Sequence, residues 1–194
     1  MDTIGNRTNK LARAGAVAAA MTAAGLAFSA PALGADEIFL RLDGITGSAT
    51  APGYQNEIVL SSYSQAFSNG ASASSGSGAG TSKLTCGEIV VTKNIDMSSP
   101  RLIGSVVTGS HIASGDIYFD SSRGNGMPVQ TYHVALTDVL VTEIRQKDHT
   151  PEGVMEQVTL SARQFKFTFT PASANGGTGT PITFSVDCGT DQVT

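Results

Sequence analysis

Three histidines, His111, His133 and His149, and two cysteines, Cys86 and Cys188, are the side chains of this sequence best suited to hold a metal. Ligation needs such groups to converge, and the histidines show neither H-x-x-x-H nor H-E-x-x-H spacing. His133 falls in an extended run, His149 in a polar turn before Pro151, and His111 just after a short helical segment, so each reads as an ordinary structural or surface histidine. Two cysteines alone do not make a zinc site. Asp116 and Asp120 stand four apart in a strand-like run and share a face. General acid–base work would need one of them in a cleft with a raised pKa; the sequence favours solvated surface carboxylates. There is no G-x-S-x-G nucleophile elbow. The glycine tract ends Gly80-Thr81-Ser82-Lys83, without the Gly-Lys-Ser/Thr ending that cradles phosphates, and no EF-hand loop is present. The expectation is a non-enzymatic domain with no cofactor and no metal.

The elements that carry these residues read as strands. Ile38, Leu40 and Leu42 alternate with Phe39, Arg41 and Asp43, the period of a half-buried strand. Further extended runs are expected at 57–67, 84–93, 112–119, 129–136, 139–145, 158–170 and 182–186. Phe165, Phe167 and Phe169 alternate with Lys166, Thr168 and Thr170; a strand puts the three rings on one face, whereas a helix would scatter them. One short helix is predicted over 100–108. Ser99 is its expected N-cap, Pro100 its first residue, and Gly109 its left-handed C-terminal turn. Residues 69–82 hold only Gly, Ala, Ser, Thr and one Asn, with nothing large to bury, and read as a long flexible loop. Eight or nine strands and one helix predict a mainly β domain, a barrel or closed sandwich, not an alternating α/β fold.

Residues 1–35 have the layout of a secretory signal peptide. Arg7, Lys10 and Arg13 precede an uncharged Ala-rich run from Ala14 to Ala30, and small residues then surround Gly34 and Ala35, after either of which cleavage fits. The run barely reaches the length of a membrane span, which disfavours an anchor and any stable membrane insertion after cleavage. The expected location is therefore secreted, with the periplasm as the alternative. Removing 35 of the 194 residues leaves 159, with 9 of the 12 basic and 15 of the 16 acidic side chains, net -6. That acidic balance argues against a nucleic-acid partner, and a 40% hydrophobic content argues against disorder. An even cysteine count in an exported chain favours a Cys86–Cys188 disulfide, the alternative being two small buried thiols.

The run Asp36-Glu37-Ile38-Phe39-Leu40-Arg41-Leu42-Asp43-Gly44-Ile45-Thr46-Gly47 resembles the opening of the Hcp (haemolysin-coregulated protein) family, the tube subunits of type VI secretion systems. Glu57-Ile58-Val59-Leu60-Ser61-Ser62-Tyr63-Ser64, Thr92-Lys93-Asn94-Ile95-Asp96-Met97-Ser98-Ser99-Pro100-Arg101-Leu102, Leu136-Thr137-Asp138-Val139-Leu140-Val141 and Phe169-Thr170-Pro171 are similar to later family segments, in the same order. The resemblance implies an Hcp-like closed β-barrel with one short α-helix over 36–171, followed by a C-terminal extension, 172–194, with a final strand. It also implies self-association into hexameric rings that stack into a tube, with type VI effectors or a spike protein as further partners. Within the glycine-rich loop Asn69, Gly70, Gly76, Gly78, Gly80 and Ser82 are candidates for contact with a neighbouring ring, the alternative being an idle loop. Two features depart from the family: the leader, and the extension with its cysteine. The alternative function is an exported Hcp-like protein that acts outside a tube, as a secreted or surface-binding module.

Overall fold

The protein is described from a computed structural model, which describes residues 37–70, 84–122, 128–150, 153–173, 177–190 and 192–193. Its strands are β1 (Glu37–Leu42), β2 (Ile58–Leu60), β3 (Ser62–Ser64), β4 (Phe67–Asn69), β5 (Leu84–Cys86) and β6 (Ile89–Asn94). A helix, α1 (Ser99–Thr108), precedes β7 (His111–Ser122), β8 (Pro128–Thr150), β9 (Gly153–Phe169), β10 (Ile182–Asp187) and β11 (Gln192–Val193). Every pairing is antiparallel, in the order β11-β10-β9-β8-β7-β1-β2. Only Ser61 separates β2 from β3, so they act as one bent strand. Its first half pairs with β1, its second with β6, and β6 pairs in turn with the first half of β9. The circuit β1, β2–β3, β6, β9, β8, β7 thereby closes into a barrel, which leaves few strand edges open.

Register places the apolar residues in rows across the inner face, because residues directly opposite in an antiparallel pair share a side. One row runs Ile58, Leu40, Ile117, Val134, Phe167, Phe184. The first four are buried, Phe167 is half-buried and Phe184 is exposed, so burial fades toward β10. The three-phenylalanine strand is β9, and its rings do share one face. Phe165 is in the core and Phe169 is at the exposed margin.

Several elements differ from the sequence expectation. The run 57–67 breaks into β2 and β3 and reaches β4 only at Phe67. The run 84–93 breaks at Gly87, where a side chain would place its Cβ 2.5 Å from the Ala66 carbonyl oxygen. Conversely, 129–136 and 139–145 belong to one long strand, β8; Asp138 between them adopts φ 56°, a left-handed conformation that aspartate tolerates. His149 is paired with Val154 at the end of β8, not set in a turn. The helix starts one residue earlier than expected, at Ser99, with Ser98 at its N-cap position making no side-chain cap bond. At its other end Gly109 is left-handed at φ 62°, and the Ser110 N–H bonds the Ser105 carbonyl while the Gly109 N–H bonds that of Val106. That pair of bonds is a Schellman closure. The extension contributes β10 and β11, which prolong the sheet.

Candidate functional site

Strand parity brings an ionic cluster beneath α1. Ile89, Val91 and Lys93 point inward from β6, and Glu156, Val158 and Leu160 point inward from β9. A buried ammonium needs a partner for each of its three N–H bonds. Lys93 Nζ finds Glu156 Oε1 at 2.7 Å, Asp96 Oδ1 at 2.7 Å and Ser99 Oγ at 3.1 Å. The Ser99 hydroxyl donates to Glu156 Oε1 at 2.6 Å and accepts the Asp96 N–H at 3.1 Å. Ser99 therefore does not cap the helix. It is consumed in a latch that fixes the first turn of α1 to β6 and β9, while Leu102 is the helix residue sunk in the core. Burial alone would raise the Asp96 carboxyl, but bonds from Lys93 and Ser98 outweigh it and hold the pKa below its ordinary value.

On the outer face of β1 and β7, the chain between β1 and β2 folds back and lays Tyr54 flat on Phe39, ring centroids 4.4 Å apart. Arg41 donates to Glu57 Oε1 at 2.7 Å and lies over the Tyr118 ring, 5.3 Å from its centroid. Tyr118 stacks on His133, whose Nε2 is 2.8 Å from Asp116 Oδ1. The Tyr54 hydroxyl donates to Asp120 Oδ1 at 2.8 Å. Asp120 is 3% exposed, which corrects the expectation of a solvated surface carboxylate. Desolvation raises its pKa, against the hydrogen bond from Tyr54. His111 Nδ1 approaches Asp138 Oδ1 at 2.6 Å in an exposed pair. No group of three or more metal-ligating side chains comes together among the described residues.

Cys86 and Cys188 form a disulfide, Cα atoms 6.1 Å apart, that ties β5 to the segment after β10. It holds the β4–β5 hairpin over the β9–β10 margin, where Phe67 meets Phe165 and Phe167 edge-on at 5.4 and 5.6 Å. A cavity of about 650 Å3 lies there, lined by Tyr63, Gln65, Phe67, Leu84, Tyr132, Phe167, Phe184 and Val186. Apart from Val59, Phe67 and Val154, the large apolar side chains exposed among the described residues fall into two sets. One surrounds the helix: Ile95, Met97, Ile103 and Val107, the last 80% exposed. The other follows the sheet margin: Phe169, its direct partner Ile182, and Phe184.

A family model described as "Type VI secretion system effector, Hcp" matches residues 39–169, more than half of the sequence. The chain belongs to the Hcp family. Among solved structures, "a type six secretion system protein" is similar at a TM-score of 0.76 and 20% identity, over 82% of this chain and 100% of that one. Hcp1 from Salmonella typhimurium follows at 0.67 and 24% identity, over 83% and 100%. A type VI secretion system effector from Yersinia pestis stands at 0.61 and 18%, over 77% and 98%. These identities speak to the fold: an Hcp barrel with one helix. No curated protein matches the chain.

In this Hcp barrel the residues singled out in the sequence do not converge on one site. Ser99 belongs to the latch, Pro100 and Gly109 to the two ends of α1, and the cysteines to the hairpin. Asn69 pairs with Leu84 as the last rung of the β4–β5 ladder and Gly70 follows it, while Gly76, Gly78, Gly80 and Ser82 lie outside the described residues, as does the leader 1–35. Sequence reasoning missed the Lys93–Glu156 pair and Tyr54. The signal for the pair was present: Lys93 continues the inward parity of Ile89 and Val91, and a cation at an inward position calls for a buried anion. Tyr54 had no such signal, since it lies in a loop whose path sequence periodicity does not fix.

Proposed function

We propose that this protein is a structural subunit of a type VI secretion tube, closing into six-membered rings that stack, with effectors carried in the lumen and the spike protein as a further partner. The observation that carries the reading is the presence of two separate apolar sets, one around α1 and one along the β9–β10 margin, on a barrel poor in charge. A ring built head to tail uses two different patches on each subunit, one meeting the other on its neighbour. Exposed apolar groups gathered in this way mark contact surfaces. Light scattering on protein lacking residues 1–35 is expected to give a mass near six subunits; a strict monomer at micromolar concentration would overturn the reading.

A second reading is favoured by the disulfide. Hcp proteins leave the cell through the type VI system, whereas a structural disulfide is a mark of oxidising compartments. Together with the leader expected at 1–35, it supports an Hcp-like protein exported by the general secretory route and acting outside a tube. N-terminal sequencing of protein from culture supernatant separates the two. A chain starting at Ala35 or Asp36 supports leader-directed export, and one starting at residue 1 or 2 refutes it.

A further inference from the structure

The outer face of β1 and β7 carries a depression of about 390 Å3 that shares no lining residue with either exposed apolar set. Cavities of about 300–1,000 Å3 are those that take small molecules. Arg41 and Asp120 both line it. Register sets them at opposite ends: Arg41 stands opposite Asp116, Asp120 opposite Glu37, and the Phe39–Tyr118 rung lies between.

Each end holds an ionisable group with capacity left over. Arg41 spends only Nε, on Glu57 Oε1 at 2.7 Å, so its two terminal NH2 groups have no partner among the described residues, and the side chain is half exposed. A guanidinium presents its donors as a planar fork that matches a carboxylate. Asp116, the other acid that acts on Arg41, is itself bonded to His133 Nε2. At the far end Asp120 accepts the neutral Tyr54 hydroxyl on Oδ1 and forms no ion pair among the described residues. Its Oδ2 has no partner there and keeps contact with solvent. Acidic side chains are rarely buried without a cation beside them, and desolvation raises the pKa of this one, against the bond from Tyr54. A simple anion in the depression would meet Asp120, and a simple cation would meet Arg41. A molecule that carries both charges satisfies both ends. Between them Pro52 and the rings of Tyr54 and Tyr118 supply an apolar flank.

We propose that this depression binds a free α-amino acid with an apolar side chain, its carboxylate on the terminal nitrogens of Arg41, its ammonium on Asp120 Oδ2 and its side chain against Pro52 and Tyr54. The site is independent of ring formation and of the route of export.

The test is calorimetric titration of the oxidised protein at neutral pH with L-leucine and with two analogues that each lack one charge. Isocaproate has no ammonium, and isoamylamine has no carboxylate. L-Leucine is expected to bind saturably at one site per chain, and each analogue about tenfold more weakly, the worth of one charge-assisted hydrogen bond. Asp120→Asn, which keeps an acceptor for Tyr54, should weaken leucine and isoamylamine about tenfold and leave isocaproate no weaker. Arg41→Lys keeps a cation beside Glu57 but loses the fork; it should weaken leucine and isocaproate and spare isoamylamine. Three results overturn the proposal: no saturable binding of L-leucine, equal binding of leucine and either analogue, or an equal loss of leucine and isocaproate binding in Asp120→Asn.

Discussion

At the residue scale, the ionic latch under α1 carries the sharpest expectations. Breaking a buried pair by removing one partner leaves the other charge uncompensated, at a cost of about 3–5 kcal/mol. Lys93→Met, which leaves Glu156 buried without a cation, is therefore expected to lower stability by that order in urea unfolding, whereas the double change Lys93→Met with Glu156→Leu should recover most of the loss. A double variant as unstable as the single one would refute the account of an uncompensated charge. Asp96 adds a pH dependence whose sign follows from its depressed pKa. Its folded-state value lies below that of the unfolded chain, so its contribution is complete above the ordinary carboxylate range and is lost as pH falls through the lowered value. Asp120 works the other way. Its raised pKa favours the protonated form, so its burial costs stability as pH rises out of that same range. Unfolding midpoints followed from acid to neutral pH should show a smaller acid-side fall in Asp96→Asn and a gain at neutral pH in Asp120→Asn, which keeps an acceptor for Tyr54.

At the element scale, most strands were legible because period-2 alternation is enforced wherever one face is buried. The breaks were not legible. Gly87 interrupts the extended run 84–93, and the Ala66 carbonyl oxygen stands only 2.5 Å from where its Cβ would be, a long-range fact that no local pattern encodes. Asp138 hid the continuity of β8 for the opposite reason, since a left-handed residue mid-strand looks like a turn. Ser99 carried the right chemistry for a cap, but its hydroxyl gains more from a buried ammonium and carboxylate than from a helix N–H that water can satisfy. Two expectations belong here. Val107, exposed on the last turn of α1, can become lysine without loss of stability because a cation suits a helix C-terminus. If the helix surface is a ring contact, Val107→Lys should leave the unfolding midpoint unchanged and reduce the mass seen by light scattering to that of one subunit; persistence of the larger species would exclude α1 from the contact. Reduction of the disulfide, which joins residues 102 apart in sequence, should lower stability by about 2–5 kcal/mol and open the β4–β5 hairpin to proteolysis first.

At the scale of the whole molecule, the barrel owes its closure to a bend of one residue at Ser61, and its apolar excess to the margin that β10 leaves half covered. The Cys86–Cys188 bond lies across that margin, and its consequence is mechanical. An antiparallel edge strand pulled from its free end unzips one rung at a time, a low-force route to unravelling. Here tension applied at the C-terminal end meets Cys188 before it meets β10, and passes through sulfur to β5. The load is then shared between two parts of the sheet: β11, beyond Cys188, can peel away, but β10 cannot be stripped off alone. In the tube proposed above, such a subunit would hold β10 in place under forces that would peel that strand from an unbridged barrel.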